Sequence, residues 1–332
     1  MTAHTSSPAS SAAAPATRSS AARTVLLILL LGIMVLAPAF AYPVFLMKLM
    51  CFALFAAAFN LLLGFTGMLS FGHAAFFGGA AYATAHAIKV WGLGPLSGIL
   101  VGVCFAAVLG LVIGLFALRR TGIYFTMITM ALAQMFFFFC LQAPFTHGED
   151  GIQSVPRGQL FGLIDLEGMM TLYIFVCVVF LIGMAAIWRF VNSPFGMILR
   201  AIRENEPRAI SLGYSVQRYK LVAFVVSAAL AGLAGSTKVL VFQSATLTDV
   251  GWQMSGEVVL MTLMGGIGTL AGPVIGAGTI VTMQNYLAAS GIPVSVMLGV
   301  VFVIFVLLFR RGIAGEFYQT RLARRLGLSD RN

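Results

Sequence analysis

Charge is what this sequence has least of. Asp, Glu, Lys and Arg make up 9% of its 332 residues, against about 25% in a soluble domain. So little charge excludes an ordinary water-facing surface, and 60% hydrophobic residues with a mean hydropathy of +0.99 show what replaces it. Cysteine is sparse too. Cys51, Cys104, Cys140 and Cys177 each sit inside an apolar run with no CxxC or Cys/His spacing, which leaves buried thiols and no metal site or disulfide framework. The sequence lacks G-x-x-x-x-G-K-[ST], so it is not expected to hydrolyse ATP itself. It also lacks HExxH and GxSxG, and His73 and His86 are isolated, so no catalytic residues are expected.

What is present is long oily stretches. Apolar runs of roughly 18 residues or more recur from Arg23 to the end, each long enough to cross hydrocarbon as a helix. They are continuous rather than alternating, which argues against a barrel. The fold expected is all-α, a polytopic transmembrane helical bundle of about 8–10 spans. The spans read off are about 24–42, 43–63, 68–88, 94–118, 122–143, 169–190, 219–241, 252–268, 271–289 and 293–310. Residues 1–22, rich in Ser, Ala, Pro and Thr, read as a disordered cytoplasmic tail. Ala39-Phe40-Ala41 resembles a signal-peptidase site, but the long tail before it favours a retained first span. A membrane domain is expected over 23–315, and 316–332 reads as a basic cytoplasmic tail.

The net charge of +10 reports orientation rather than a nucleic-acid partner. Arginines bunch before the first span, after the fourth, between 189 and 220 and at the C-terminus, whereas the loop from 142 to 168 carries Glu149, Asp150, Asp165 and Glu167 against Arg157. The positive-inside rule then places both termini in the cytoplasm and the acidic loop outside. Lys48 and Lys238 are expected to snorkel to the outer interface.

Two apolar stretches differ from the rest. "GFTGMLSFGHAAFFGGAAYA" and "MGGIGTLAGPVIGAG" are full of glycine, and the second contains Pro273. Gly and Pro weaken a helix, and freed backbone at membrane depth must line protein or a cavity. These are expected to be broken or re-entrant segments beside a translocation path. Small-residue packing, with Gly268, Gly272 and Gly276 every four residues, is an equally open reading.

The charge that does exist is concentrated. "RAIRENEPRAISLGY", Arg200 to Tyr214, holds five charged side chains. Ser193 is placed to cap a helix that Pro194 begins and that runs to about Glu204; Pro207 interrupts near Asn205, and a second short helix stops at Gly213. Ile198, Leu199, Ile202, Ala209, Ile210 and Leu212 supply apolar faces, and Arg203, Glu204, Glu206 and Arg208 polar ones. Two short amphipathic helices with mixed charge fit a docking surface better than a helix pair lying on anionic lipid, because of the acids.

Several stretches together carry a resemblance: "NLLLGFTGMLSFGHAAFFGGAAYA" (60–83), "RTGIYFTMITMALAQ" (120–134), "SPFGMILRAIRENEPRAISLGY" (193–214), "KLVAFVVSAALAGLAG" (220–235), "LMGGIGTLAGPVIGA" (263–277) and "RRGIAG" (310–315). The chain resembles the permease subunits of branched-chain amino-acid ABC transporters, the second of the two paralogous permeases above all. The resemblance implies a cytoplasmic coupling loop at about 191–218 that seats in an ATP-binding cassette ATPase, with Arg200, Arg203, Glu204, Glu206, Arg208, Ala209 and Gly213 as its candidates. It also implies a paralogous permease partner, a periplasmic solute-binding protein and ATP-Mg held by the ATPase rather than by this chain. The family's Glu-Ala-Ala start is replaced here by Glu206-Pro207-Arg208. "THGEDG" (146–151) looks like the family's outer turn, with His147 replacing a Gly.

A zwitterionic amino acid needs polar company across the membrane, since a charged group costs on the order of 2.5–3.5 kcal/mol on insertion scales. Candidates for the path are Asn60, Thr66, Ser70, His73, Gln134, Glu257, Gly265, Gly266 and Gly268, with Thr126, Thr129 and Ser255 nearby. Glu257 could sit at the water interface, pair with a buried group or meet the substrate ammonium. His73 reads as a hydrogen-bonded packing residue ahead of a proton carrier. A stand-alone secondary transporter or channel is the alternative, and it would require an intramembrane ion site.

Overall fold

The computed structural model describes residues 37–38, 41–160 and 164–287, together with 296, 299, 300, 303, 312 and 313. The tail at 1–22, most of the span at 24–42, most of the span at 293–310 and the basic tail at 316–332 lie outside the described residues.

The described elements are ten α-helices, two short 3-10 turns (Pro144–Thr146 and Leu247–Asp249) and one small hairpin. They run α1 (Pro43–Thr66), α2 (His73–Lys89), α3 (Pro95–Ala117), α4 (Ile123–Gln142), β1 (Gln159–Leu160), β2 (Ile164–Asp165), α5 (Met169–Val191), α6 (Pro194–Glu204), α7 (Glu206–Ser211), α8 (Val216–Phe242), α9 (Trp252–Gly265) and α10 (Gly272–Leu287). The protein is an all-α polytopic membrane bundle. Among the described residues five helices, α1, α3, α4, α5 and α8, are long and apolar enough to cross a bilayer.

Two expected spans are shorter than drawn: α2 has 17 residues and α9 has 14. At 1.5 Å per residue a 14-residue helix covers about 21 Å, short of a ~30 Å hydrocarbon core. The expected span from 68 begins only at His73, because Gly67 at φ 74 ends α1 and residues 68–72 are not helical. Pro273 does not interrupt a run. It is the second residue of α10, where its missing N–H costs no helix bond.

α1 and α8 form the middle of the bundle. Buried residues make up 78% of the apolar window of α1 and 72% of that of α8, but only 22% for α4, so α4 lies at the edge. α8 packs on α1, α2 and α3, and α1 also meets α5, α9 and α10. The α3–α8 approach is set by small residues: a side chain at Gly110 would come within 2.5 Å of Ala228. Close backbone approach of this kind is how helices associate when lipid offers no hydrophobic drive. Large rings fill the remainder, with Phe55 and Phe77 stacked 4.5 Å apart.

α9 and α10 form an antiparallel pair. A Cβ at Gly265 would strike the Gly272 carbonyl, one at Gly276 would strike the Met261 carbonyl, and Gln284 hydrogen-bonds Glu257. These contacts step away from the 266–271 turn in both directions.

Candidate functional site

Two irregular segments lie inside the bundle, and the backbone polar groups each exposes are met by named side chains. In the first, between α1 and α2, Thr126 donates to the Leu69 carbonyl at 2.8 Å. Ser70 accepts from the Gly72 N–H at 3.2 Å, and Ser255 accepts from the Ala74 N–H at 3.0 Å. The N-terminus of α2 is thus capped by two fully buried hydroxyls, Ser70 and Ser255. In the second, between α9 and α10, Asn60 of α1 works as a clamp. Its side-chain oxygen accepts from the Gly268 N–H at 2.9 Å while its amide donates to the Thr269 carbonyl at 2.8 Å. Buried backbone without such partners would cost several kcal/mol per group in hydrocarbon.

The α6–α7 loop closes on these segments from one end of the bundle. Its local structure follows the sequence: Ser193 caps α6 by accepting from Gly196 N–H at 3.3 Å, Asn205 at φ −153 and ψ 92 breaks the helix, and Asn205 then caps α7 by accepting from Arg208 N–H at 3.1 Å. Gly213 follows α7 at φ 86, a left-handed conformation suited to glycine. Leu199, Ile202 and Ala209 turn inward, the latter two onto Val216 of α8.

The loop's charges divide into two sets. Arg203 donates to the Gly64 carbonyl in the last turn of α1. Its side chain also lies against both irregular segments: a Cβ at Gly67 would meet Arg203 Cγ at 3.1 Å, and one at Gly268 would meet Nη1 at 3.5 Å. Arg200 stacks 5.2 Å from the Phe65 ring centroid, and Glu206 pairs with Lys220 of α8 at 2.8 Å. These three bind the loop to its own chain. Glu204 and Arg208 remain exposed, beside Ile210 at 58% and Leu212 at 69% exposure. Ile210 and Leu212 therefore do not pack on the chain as the inner apolar residues do.

The other candidates disperse. Thr66 bonds only its own helix, donating to Leu62 O. Gln134 is half-buried on α4 and makes no side-chain hydrogen bond among the described residues. His73 is fully buried, its Nε2 2.9 Å from Ser227 Oγ, and Ser227 donates onward to Ala58 O at 2.6 Å. Because the serine proton is engaged by Ala58, the imidazole donates from Nε2, and its buried Nδ1 has no hydrogen-bond partner among the described residues. Glu257 is half-buried and accepts from Gln284 Nε2 at 3.0 Å. Gly265 and Gly266 are buried at the α9–α10 turn, next to Gly268.

One expectation is corrected. Lys238 does not snorkel: it forms an ion pair with Asp249, whose side chain is 2% exposed, and lies over the Phe77 and Phe242 rings at 5.9 and 5.8 Å. The reason is that Asp249, fixed by a capping box with Thr246, brings a carboxylate to the lysine inside the bundle. Ser227, Thr269, Gly64 and Lys220 were not singled out in the sequence. A lone hydroxyl or carbonyl in an apolar run carries no signal until its partner is known.

The family described as "Branched-chain amino acid transport system / permease component" matches residues 43–309, a region containing every feature above. The chain belongs to that family. The permease is 26% identical over 264 residues to the high-affinity branched-chain amino acid transport system permease protein LivM of Escherichia coli (strain K12), covering 71% of this chain and 61% of that protein. It is 26% identical over 212 residues to the probable permease protein LivM of Methanocaldococcus jannaschii, covering 60% of each. The probable permease protein LivH of the same organism matches at 29% over 116 residues, 35% of this chain and 36% of that protein. The permease thus spans about three fifths of the length of the LivM proteins it matches. No solved structure matches it.

Proposed function

We propose that this permease is the translocation subunit of an ATP-driven importer for branched-chain or related hydrophobic amino acids. A separate ATP-binding cassette subunit binds and hydrolyses ATP-Mg beneath the α6–α7 loop. A paralogous permease completes the path, and a periplasmic binding protein delivers the solute. Both termini and the loop face the cytoplasm, as the arginine distribution requires. The membrane domain covers 23–315, with the coupling loop at about 191–218.

The observation that carries this reading is the division of labour within the loop. Arg200, Arg203 and Glu206 fasten it to α1 and α8, so a displacement of α6 is transmitted to the bundle. Glu204, Arg208, Ile210 and Leu212 face away from the chain and offer a small mixed apolar and charged patch to a partner. Nucleotide-driven closure of the ATPase would move the loop and, through Arg203, the two irregular segments at Gly67 and Gly268, biasing the bundle between two access states.

The test is affinity purification of the tagged chain from its own membranes, followed by reconstitution. An ATPase subunit, a second permease and a solute-binding protein should accompany it, and leucine uptake should require ATP. Uptake by the chain alone, without an ATPase, would instead make it a stand-alone carrier.

A further inference from the structure

The end of the bundle opposite the α6–α7 loop holds two opposite charges that do not meet. Lys48 stands five residues after Pro43 at the start of α1, and Glu257 five residues after Trp252 at the start of α9. At 1.5 Å per residue each lies about 7–8 Å inside its helix. α1 ends at Arg203's contact, and α9 ends at the Gly266–Gly268 turn beside it, so both helix starts lie on the far side. α1 packs on α9 and on α10.

Both side chains are half-buried. Lys48 makes no hydrogen bond among the described residues, and its Nζ is 6.0 Å from the Phe52 ring centroid. Among the described residues Glu257 is held by the Gln284 amide alone, at 3.0 Å. The two are close enough for each to feel the other's charge, yet they form no ion pair within 4.0 Å; the ion pairs among the described residues are Lys220–Glu206 and Lys238–Asp249. The neighbouring Lys238 is neutralised by Asp249, so it competes for neither.

A half-buried charge at membrane depth is costly when unpaired, and two opposite ones within reach ordinarily close on each other. Here the Gln284 amide holds the carboxylate in place, and among the described residues the lysine has no acceptor. A ligand carrying an ammonium and a carboxylate on one carbon would satisfy both at once, each by a charge-assisted hydrogen bond.

We propose that Lys48 and Glu257 form the receiving site for the zwitterionic head of the transported amino acid at the outer end of the bundle. Lys48 takes the substrate carboxylate, Glu257 takes the ammonium, and Gln284 orients Glu257. The inference rests on the reading of the chain as an amino-acid importer and adds where and by what chemistry the solute is met.

The experiment is ATP-driven uptake of radiolabelled L-leucine at saturation by the complete transporter in vesicles of phosphatidylcholine and phosphatidylglycerol. With no phosphatidylethanolamine present, no lipid ammonium N–H can stand in for the ligand. K48M and E257Q are each expected to lower leucine moved per ATP hydrolysed by about tenfold or more, as loss of a charge-assisted bond implies. ATP hydrolysis stimulated by the solute-binding protein should stay within about twofold of wild type, whereas a merely structural defect would lower both. The exchange K48E with E257K should regain part of the loss, since a zwitterion can reverse. Wild-type leucine per ATP in either neutral variant overturns the inference. Should a neutral variant fail to insert, the single reversals K48E and E257K take its place: unchanged coupling in both overturns the inference, and reduced coupling supports it. A wild-type complex that moves no amino acid sinks the functional reading itself, a separate result from loss in the variants alone.

Discussion

Arg203 reaches from α6 to the main-chain carbonyl of Gly64, in the last turn of α1. Gly64 is itself pressed against the second irregular segment: a side chain there would come within 2.7 Å of the Gly268 nitrogen and 2.4 Å of Asn60 Oδ1. The loop, the central helix and the broken α9–α10 turn therefore touch in sequence. Packed elements of this kind shift between discrete arrangements rather than bending continuously.

Removing the Arg203 contact should uncouple transport from fuel. R203A is expected to lower leucine uptake per ATP by about tenfold, within the usual range of coupling energies, while ATP hydrolysis by the assembled complex continues. R203K restores charge without the planar fork and should recover only part. Paired uptake and hydrolysis measurements in proteoliposomes check this, and coupling as tight in R203A as in wild type would refute the linkage.

The outward patch should govern assembly instead of coupling. I210D together with L212D places two carboxylates where exposed apolar side chains stand. Co-purification of the ATPase subunit should drop several-fold while insertion and thermal stability of the permease stay unchanged, because neither residue packs on its own chain. Full retention of the ATPase would show that it docks elsewhere.

Asn60 should matter to stability ahead of anything else. N60A leaves the Gly268 N–H and the Thr269 carbonyl without their partner, each worth about 1–3 kcal/mol when buried. The melting temperature of the purified permease in detergent is expected to fall. An unchanged melting temperature for N60A would mean that water replaces the clamp at no cost.

Breaking the Lys238–Asp249 pair should be severe. D249N leaves a lysine whose side chain is 13% exposed without its counter-ion, and removal of one partner of a buried pair costs about 3–5 kcal/mol. Yield and melting temperature are the readouts. K238M with D249N, which removes both charges, should regain much of the loss.

The sequence by itself determined the membrane setting, the helical class and the punctuation of the loop. Continuous apolar runs leave the backbone no partner but its own helix, and Ser193, Pro194, Asn205 and Gly213 act on bonds within one turn. Glycine also marked both broken segments before their geometry was known, although it did not show that Pro273 would start a helix rather than interrupt one. Only the tertiary structure decided which polar groups meet. Asn60 and Gly268 lie 208 residues apart, His73 and Ser227 154, and Arg203 and Gly64 139. A cap is written in adjacent residues, but a contact across such a distance depends on how small residues such as Gly110, Gly232 and Gly276 let whole helices close together. For the same reason Lys48 and Lys238, alike in the sequence as lysines near helix ends, part company: packing gave Lys238 a buried aspartate and left Lys48 with no ion pair among the described residues.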